Sequence, residues 1–146
     1  MRIATSRFGQ LDIEQNDIIR FPAGLLGFER RRQWVLLSNA ENDAVVWLQS
    51  VEDSKLALAL VGPRRVVPDY RIRVARQELT PLGVDDAGAL MVLAILGRNN
   101  RGFTLNLKGP VLIHPERRLG RQVVANGDVP VDYALTTEQV AARRIA

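Results

Sequence analysis

The residue best suited to acid–base or metal chemistry is the single histidine, His114, in a chain without cysteine. A general base needs a nucleophile and an orienting carboxylate nearby, and a transition-metal site needs several histidine or cysteine ligands. His114 instead ends an apolar run directly before Pro115. We interpret it as a strand-end residue with ordinary hydrogen bonds, and we predict no catalytic residue, no metal and no cofactor.

Other residue types that support chemistry also lack the required context. The carboxylate pairs Glu52-Asp53 and Asp85-Asp86 lie in turn-like polar sequence, and neither has the alternate spacing of a calcium loop. The segment Gly24-Leu25-Leu26-Gly27 lacks the third glycine of a dinucleotide fingerprint, and no Gly-Lys-Ser/Thr triplet forms a phosphate loop. The sequence therefore predicts a protein that is not an enzyme.

Basic residues raise the question of nucleic acid. The formal net charge is +4, and the basic residues are almost all arginine. They cluster at Arg30–Arg32, at Arg64-Arg65, and at Arg117, Arg118 and Arg121. In a small β-barrel such clusters could follow a phosphate backbone while aromatic side chains stack on bases, but aromatic residues make up only 5% of the chain. A small basic β-barrel that binds RNA directly is the alternative hypothesis.

Short apolar runs, separated by turn residues at intervals of about ten, indicate the elements that position these residues. The pattern predicts strands at Arg2–Thr5, Leu11–Glu14, Ile18–Phe21, Trp34–Leu37, Val45–Val51, Leu56–Val61, Tyr70–Val74, Ala89–Leu96, Thr104–Leu107, Val111–His114 and Gln122–Val124. Phe8-Gly9-Gln10 is predicted as a tight connection, Asn39–Asp43 as a polar turn, and Gln77–Leu82 as one helical turn.

The predicted fold class is all-β: a mostly antiparallel β-barrel-like or sandwich domain with one or two short helical turns. Residues 1–135 are expected to form one domain, and residues 136–146 a tail that is a frayed helix or disordered. The longest apolar run, Ala89 to Leu96, is far shorter than the roughly 20 residues that cross a bilayer, and no signal peptide is visible. We therefore expect a cytoplasmic protein that makes no membrane contact.

One segment differs from ordinary β sequence, because two glycines bracket a pair of leucines between two aromatic residues. It runs Asp17-Ile18-Ile19-Arg20-Phe21-Pro22-Ala23-Gly24-Leu25-Leu26-Gly27-Phe28-Glu29. Pro22 ends the strand ladder, and the glycines allow a tight turn. Apolar residues on such a turn either fill the core or form a docking loop.

This segment closely resembles the signature of the FliW family of flagellar assembly factors. The same resemblance extends to Phe8-Gly9, to Val46–Glu52, to Thr104–Val111 and to Gly120–Val123, in the same order along the chain. It covers roughly Arg2 to Tyr133. The resemblance implies a compact β-barrel-like domain without enzymatic activity.

The resemblance also implies two protein partners. Members of the family bind flagellin in the cytoplasm and separately bind CsrA, the translational repressor of flagellin messenger RNA. Export of flagellin frees the factor to bind CsrA, so that translation follows assembly, and this requires only differential binding among three proteins. Direct nucleic-acid binding is not expected under this hypothesis.

The motif residues are predicted to define the fold and to contribute to a docking surface. They are Phe21, Pro22, Gly24, Gly27, Phe28, Trp47, Gln49, Asn106 and Pro110. Buried aromatic residues and turn glycines explain most of them without a partner, so the structural role is favoured. For Gln49 and Asn106 a buried hydrogen bond and a partner contact are equally good explanations. The basic net charge departs from the acidic surface that is frequent in the family, so any acidic patch must be local, at Glu41-Asp43, Glu52-Asp53 or Asp85-Asp86.

Overall fold

A computed structural model describes residues 1–38 and 43–136 of the chain. Its ten strands are β1 (Arg2–Thr5), β2 (Gly9–Asp12), β3 (Ile18–Arg20), β4 (Gln33–Ser38), β5 (Val45–Ser50), β6 (Ala57–Val61), β7 (Met91–Asn99), β8 (Gly102–His114), β9 (Leu119–Gln122) and β10 (Tyr133–Ala134). The described part contains one α-helix, α1 (Arg76–Leu79), and single 3₁₀ turns at Gln15–Asp17, Pro63–Arg65, Thr80–Leu82 and Ala87–Ala89. The predicted all-β class is confirmed.

Seven strands close into a barrel. They follow the order β8-β7-β6-β5-β4-β3-β9, and β9 pairs back onto β8. All of these pairings are antiparallel except β3 with β9, which is parallel and joins only Arg20 to Leu119. β10 adds to the free edge of β8, and β1 pairs with β2 as a separate hairpin. The structure is thus a barrel and not a sandwich.

Alternation along the strands separates a barrel interior from an outer face that is also covered. The interior contains Ile19, Phe21, Leu25, Trp34, Leu48, Leu60, Leu93, Val111 and Ile113. The outer face carries three further apolar clusters, each beneath a different covering segment. Ile3 and Ile13 of the first hairpin region cover Val35, Val66 and Tyr70 cover Val45 and Val61, and Leu79 and Leu82 cover Leu112.

Two predicted strand assignments are wrong. Tyr70–Val74 forms no strand, although its side chains alternate between buried and exposed as the pattern indicated. Tyr70 is buried, and Ile72 and Val74 pack on the cluster around Leu112. The backbone is bonded at single points, for example by the Asn126 N–H donating to the Arg73 carbonyl at 2.5 Å. An alternating pattern reports which side chains are buried, and it does not specify a partner strand for the backbone.

The second error was to predict two strands where the structure has one, β8. Thr104–Leu107 and Val111–His114 are parts of one strand, interrupted by a register shift opposite Leu93 and Ile95 of β7. Leu93 pairs with Val111, whereas Ile95 pairs with Asn106, so residues 107–110 of β8 form a bulge opposite Ala94 of β7. This bulge allows the first half of β8 to pair with β10 and the second half with β9.

Smaller differences concern element ends. The first connection consists of residues 6–8, and Gly9 begins β2 with φ +71. The last predicted strand, Gln122–Val124, is misplaced, because β9 begins at Leu119 and ends at Gln122, and β10 was missed. The helical turn predicted at Gln77–Leu82 is present as α1 followed by a 3₁₀ turn. Within the polar turn, residues 39–42 lie outside the described residues, as does the predicted tail except for Thr136.

Candidate protein-binding loop

The segment with the glycine-bracketed leucines forms the connection from β3 to β4, residues 21–32, which we call the docking loop. Its base is closed by the Phe21 N–H donating to the Arg32 carbonyl at 2.8 Å. Its tip is a tight turn in which the Phe28 N–H donates to the Leu25 carbonyl at 2.8 Å. Because backbone hydrogen bonds fix both ends, the loop presents its side chains in defined directions.

Two buried residues anchor the docking loop to the barrel interior. Phe21 is fully buried and meets Trp34 edge to face, with ring centroids 6.4 Å apart. A side chain at Gly120 of β9 would overlap the Phe21 ring, so this glycine makes room for it. Leu25 is also buried in the interior cluster. Phe21 is therefore a core residue that ties the start of the docking loop to the barrel interior.

The tip of the loop has the opposite character. Leu26 is 64% exposed and Phe28 is 37% exposed, and both rank among the large apolar side chains that the fold leaves uncovered. Next to Phe28 lies a shallow depression of about 360 Å³, lined by Gly27, Phe28, Glu29, Arg30, Arg31, Asp53 and Leu56. Exposed apolar side chains beside a depression are a typical feature of protein-binding surfaces.

Long-range hydrogen bonds hold this tip in place. The Leu26 N–H donates to the Gln122 Oε1 at 2.9 Å, and the Gln122 Nε2 donates to the Gly109 carbonyl at the same distance. Sequence reasoning did not select Leu26 or Gln122 as site residues. Leu26 could have been found from its place in the glycine-bracketed pair, but no signal in the sequence indicates that Gln122 lies beneath it.

The remaining motif residues do not gather at the docking loop. Pro22 and Gly27 are exposed within it, and Gly24 is buried. Trp47 is half-buried on the outer face of β5, edge to face with Phe8 and beneath the Arg7 guanidinium, which lies 4.2 Å from its ring centroid. Trp47 thus packs between the turn after β1, which supplies Phe8 and Arg7, and the apolar cluster around Val45 and Val61.

The polar motif residues serve the backbone. Gln49 is fully buried, and its Nε2 faces four carbonyl oxygens at 3.0–3.5 Å, those of Ser50, Asp53, Ser54 and Leu56. Asn106 accepts hydrogen bonds from the N–H groups of Lys108 and Gly109 at the bulge of β8. Pro110, buried beside them, has no N–H to leave unpaired. These contacts favour the structural explanation for Gln49 and Asn106.

Three of the residues that were considered for chemistry, His114, Glu52 and Asp86, accept hydrogen bonds from backbone N–H groups. The His114 Nδ1 accepts from the Arg117 N–H at 3.3 Å. Glu52 accepts from the N–H groups of Arg32 and Gln33, and Asp86 caps the Gly88 N–H. Among the described residues, no group of three histidine, cysteine, aspartate or glutamate side chains is placed to hold a metal ion. Those residues also include no helix long and apolar enough to span a membrane.

Comparison with known proteins gives one consistent result. The model of the family described as FliW protein matches residues 2–135. The flagellar assembly factor FliW of Natranaerobius thermophilus is 33% identical over 136 residues, which cover 91% of this chain and 88% of that protein. The corresponding factor of Geobacter sulfurreducens is 36% identical over 129 residues, covering 87% and 80%. A crystal structure of a flagellar assembly factor FliW superimposes with a TM-score of 0.83 at 31% identity, over 96% of this chain and all of that one.

Proposed function

The chain belongs to the FliW family of flagellar assembly factors, and from this we propose that it binds flagellin in the cytoplasm and antagonises the translational regulator CsrA. It acts by partner switching: flagellin occupies the factor until export, and the freed factor then relieves repression of flagellin translation by CsrA. The function is binding rather than catalysis. The domain that carries it is residues 1–135.

The observation that supports a binding function most directly is the docking loop. Leu26 and Phe28 expose apolar surface on a backbone fixed by the barrel, and Gln122 holds the tip from β9. A rigid apolar anchor loses little conformational entropy on association, so it contributes more of its contact energy to binding. We therefore assign the docking loop as the surface for one of the two proteins.

A binding experiment with purified proteins tests the function. The chain is titrated into flagellin and, separately, into CsrA of the same organism, with complex formation measured by calorimetry. Complexes with both proteins at micromolar concentration are expected. Failure to bind either protein at that concentration would contradict the proposed function.

A paired set of variants tests the loop. The double variant Leu26→Ser with Phe28→Ser should weaken one complex at least tenfold, which corresponds to about 1.4 kcal/mol. The matched control is Val124→Ser with Val131→Ser, because these valines are also large apolar residues left exposed, at 58% and 61%. Equal binding by the loop variant and the control would show that the docking loop is not the surface used.

A third experiment distinguishes partner switching from the alternative hypothesis of direct RNA binding. The chain is added to CsrA bound to the leader of flagellin messenger RNA, and it should release the RNA, while flagellin added afterwards should restore the RNA complex. The alternative, direct RNA binding, predicts that the chain alone retards RNA with an affinity that falls steeply with salt. A shift by the chain alone, without an effect on CsrA, would favour the alternative.

A further inference from the structure

A groove of about 340 Å³ opens at the end of β6, away from the docking loop. It is lined by Gly62, Pro63, Arg64, Arg65, Tyr70, Ile72, Ala87, Gly88, Leu90 and Val92. Gly62 directly follows β6, whereas Leu56, which lines the depression beside the docking loop, directly precedes that strand. The two surfaces therefore lie at opposite ends of one five-residue strand and share no lining residue.

The lining combines an apolar floor with a basic edge. Pro63, Ile72, Leu90 and Val92 supply apolar surface, while the charged residues of the lining are Arg64 and Arg65, both exposed. Asp69 and Asp86 are close in sequence but do not line the groove, and Asp86 is engaged by the Gly88 N–H. The surrounding segment is also basic, with five arginines and one aspartate between residues 62 and 76.

Arg64 is held in a defined position at this edge. Its Nε donates to the Tyr70 carbonyl at 3.0 Å, which fixes the plane of the guanidinium. Tyr70 is itself fixed, because its hydroxyl donates to the Leu107 carbonyl of β8 at 2.9 Å. None of the ion pairs among the described residues includes Arg64. With its Nε engaged by Tyr70, Arg64 keeps its two terminal nitrogens as donors for a carboxylate, which guanidinium groups bind through paired hydrogen bonds.

From this combination we propose that the groove is a second protein-binding surface, which takes an acidic peptide segment carrying an apolar side chain. The apolar side chain packs on Ile72, Leu90 and Val92, and a neighbouring carboxylate pairs with Arg64. The chemistry favours a peptide over RNA, since the single aromatic residue of the lining, Tyr70, is only 6% exposed and offers no face for base stacking. This assignment goes beyond flagellin or CsrA binding at the docking loop and does not depend on it.

Short labelled peptides test the proposal by fluorescence anisotropy. The probe is Gly-Ser-Asp-Leu-Glu-Leu-Ser-Gly, and two comparison peptides replace either both acidic residues by lysine or both leucines by serine. The acidic, leucine-containing probe should bind, and each comparison peptide should bind at least tenfold more weakly. Equal binding of the lysine peptide would overturn the proposal, as would absence of binding up to millimolar concentration.

Variants locate the binding. Arg64→Glu should weaken the probe at least tenfold, whereas Arg101→Glu makes the same charge change at an exposed residue between β7 and β8 and should have little effect. Ala87→Phe places a ring in the groove without changing the charge and should also weaken the probe tenfold or more. If Arg64→Glu and Arg101→Glu act equally, the attraction is a general effect of net charge and the groove is not the site.

Two further measurements identify the class of molecule that binds in the groove and separate this proposal from the one on the docking loop. A single-stranded RNA oligonucleotide that displaced the probe, and whose own binding Arg64→Glu abolished, would assign the groove to nucleic acid and overturn the peptide proposal. The docking-loop variant Leu26→Ser with Phe28→Ser should bind the probe like the unmodified chain. Loss of probe binding in that variant would contradict two independent surfaces, whatever the outcome with flagellin and CsrA.

Discussion

At the scale of single residues, Gln49 shows how one buried polar side chain can hold a turn through hydrogen bonds to backbone carbonyl groups. Its amide nitrogen lies within 3.5 Å of four carbonyl oxygens, one at the end of β5 and three in the turn that follows it. The Oε1 atom is buried and accepts no hydrogen bond from the described residues. An amide nitrogen has two hydrogens, so it serves the four acceptors only partly, and three of them, the carbonyls of Asp53, Ser54 and Leu56, also accept backbone N–H groups.

Replacing Gln49 should therefore destabilise the fold in a way that depends on the substitute. Gln49→Leu removes the side-chain donor, while the carbonyls of Asp53, Ser54 and Leu56 keep their backbone N–H partners, so it should lower the free energy of unfolding by about 1 kcal/mol. Gln49→Glu places a buried carboxylate against carbonyl oxygens and should cost more at pH 7. Burial raises the pKa of that carboxyl, so the folded state binds the proton more tightly, and the deficit should shrink as the pH falls toward 4.5. Urea unfolding at both pH values measures this.

The control for Gln49 is Gln10→Glu, because Gln10 is an exposed residue of β2. Its effect on the free energy of unfolding should stay within about 0.5 kcal/mol at pH 7. A Gln49→Glu variant as stable as Gln10→Glu would show that the four carbonyl contacts contribute nothing to stability.

Tyr70 gives a pH-dependent prediction. Burial raises its pKa above the ordinary value of 10.0, and its hydroxyl donates to the Leu107 carbonyl. Above pH 10 the unfolded chain releases the Tyr70 proton before the folded chain does, so the unfolded state is favoured and the stability contributed by Tyr70 declines. Tyr70→Phe should cost about 1 kcal/mol at pH 8. The difference between the two proteins should narrow between pH 9 and pH 11 in urea unfolding, and a constant difference would contradict the role of the buried hydroxyl.

At the scale of elements, the docking loop depends on two glycines that meet different constraints. Both have positive φ, +68 at Gly24 and +88 at Gly27. A Cβ at Gly24 would lie 2.5 Å from the Glu29 backbone, whereas a Cβ at Gly27 meets nothing within 4 Å. Gly27 therefore supplies only a backbone conformation, while Gly24 also permits the close approach that folds the loop onto itself.

Alanine substitution should separate the two glycines. Gly27→Ala should cost about 1 kcal/mol of stability, from the left-handed conformation alone. Gly24→Ala should cost at least twice as much and should open the loop, because two backbone segments cannot both keep their positions. Trypsin cleavage after Arg30–Arg32 reports this opening, and it should be much faster in Gly24→Ala than in Gly27→Ala. Equal cleavage rates would mean that the contact with Glu29 does not hold the loop.

Some of these elements could be predicted from the sequence and others could not. Strands such as β4 and β5 were predicted well because each is a short apolar run bounded by polar turn residues, although their burial does not alternate. Tyr70–Val74 does alternate between more and less buried residues, yet it forms no strand, and its Arg73 carbonyl accepts from the distant Asn126 N–H, a contact that no local pattern encodes. The docking loop was recognised by its glycines and aromatics, but its link to Gln122 spans 96 positions and exists only in the fold. The Arg64 groove was likewise hidden, since its lining comes from segments on both sides of α1.

At the scale of the whole molecule, the barrel has one weak seam. β7 and β8 are joined by eight residue pairs, whereas β3 and β9 are joined by one. The seam is otherwise held by the Arg20 N–H donating to the Arg118 carbonyl at 3.0 Å and by the Arg118 Nη2 donating to the Asp17 carbonyl at 2.9 Å. Arg118 adopts φ +53, a conformation that is strained for a residue with a side chain. The contact between β3 and β9 thus consists of one residue pair and the two hydrogen bonds of Arg118, a residue with a strained backbone.

Hydrogen exchange should therefore detect local opening at this seam. The Arg20 amide should exchange with a free energy of opening well below that of global unfolding, while the protected amides of β7 and β8 exchange only with the whole molecule. Arg118→Ala should speed exchange of the Arg20 amide tenfold or more, because it removes the hydrogen bond to the Asp17 carbonyl. Arg118→Gly should be more stable than Arg118→Ala, because glycine adopts a positive φ without strain. Arg117→Ala, an exposed neighbour, is the control. Since the docking loop begins directly after β3, opening of the seam would also loosen the Leu26–Phe28 tip. If the Arg20 amide exchanged only on global unfolding, the seam would not open locally and this coupling would be excluded.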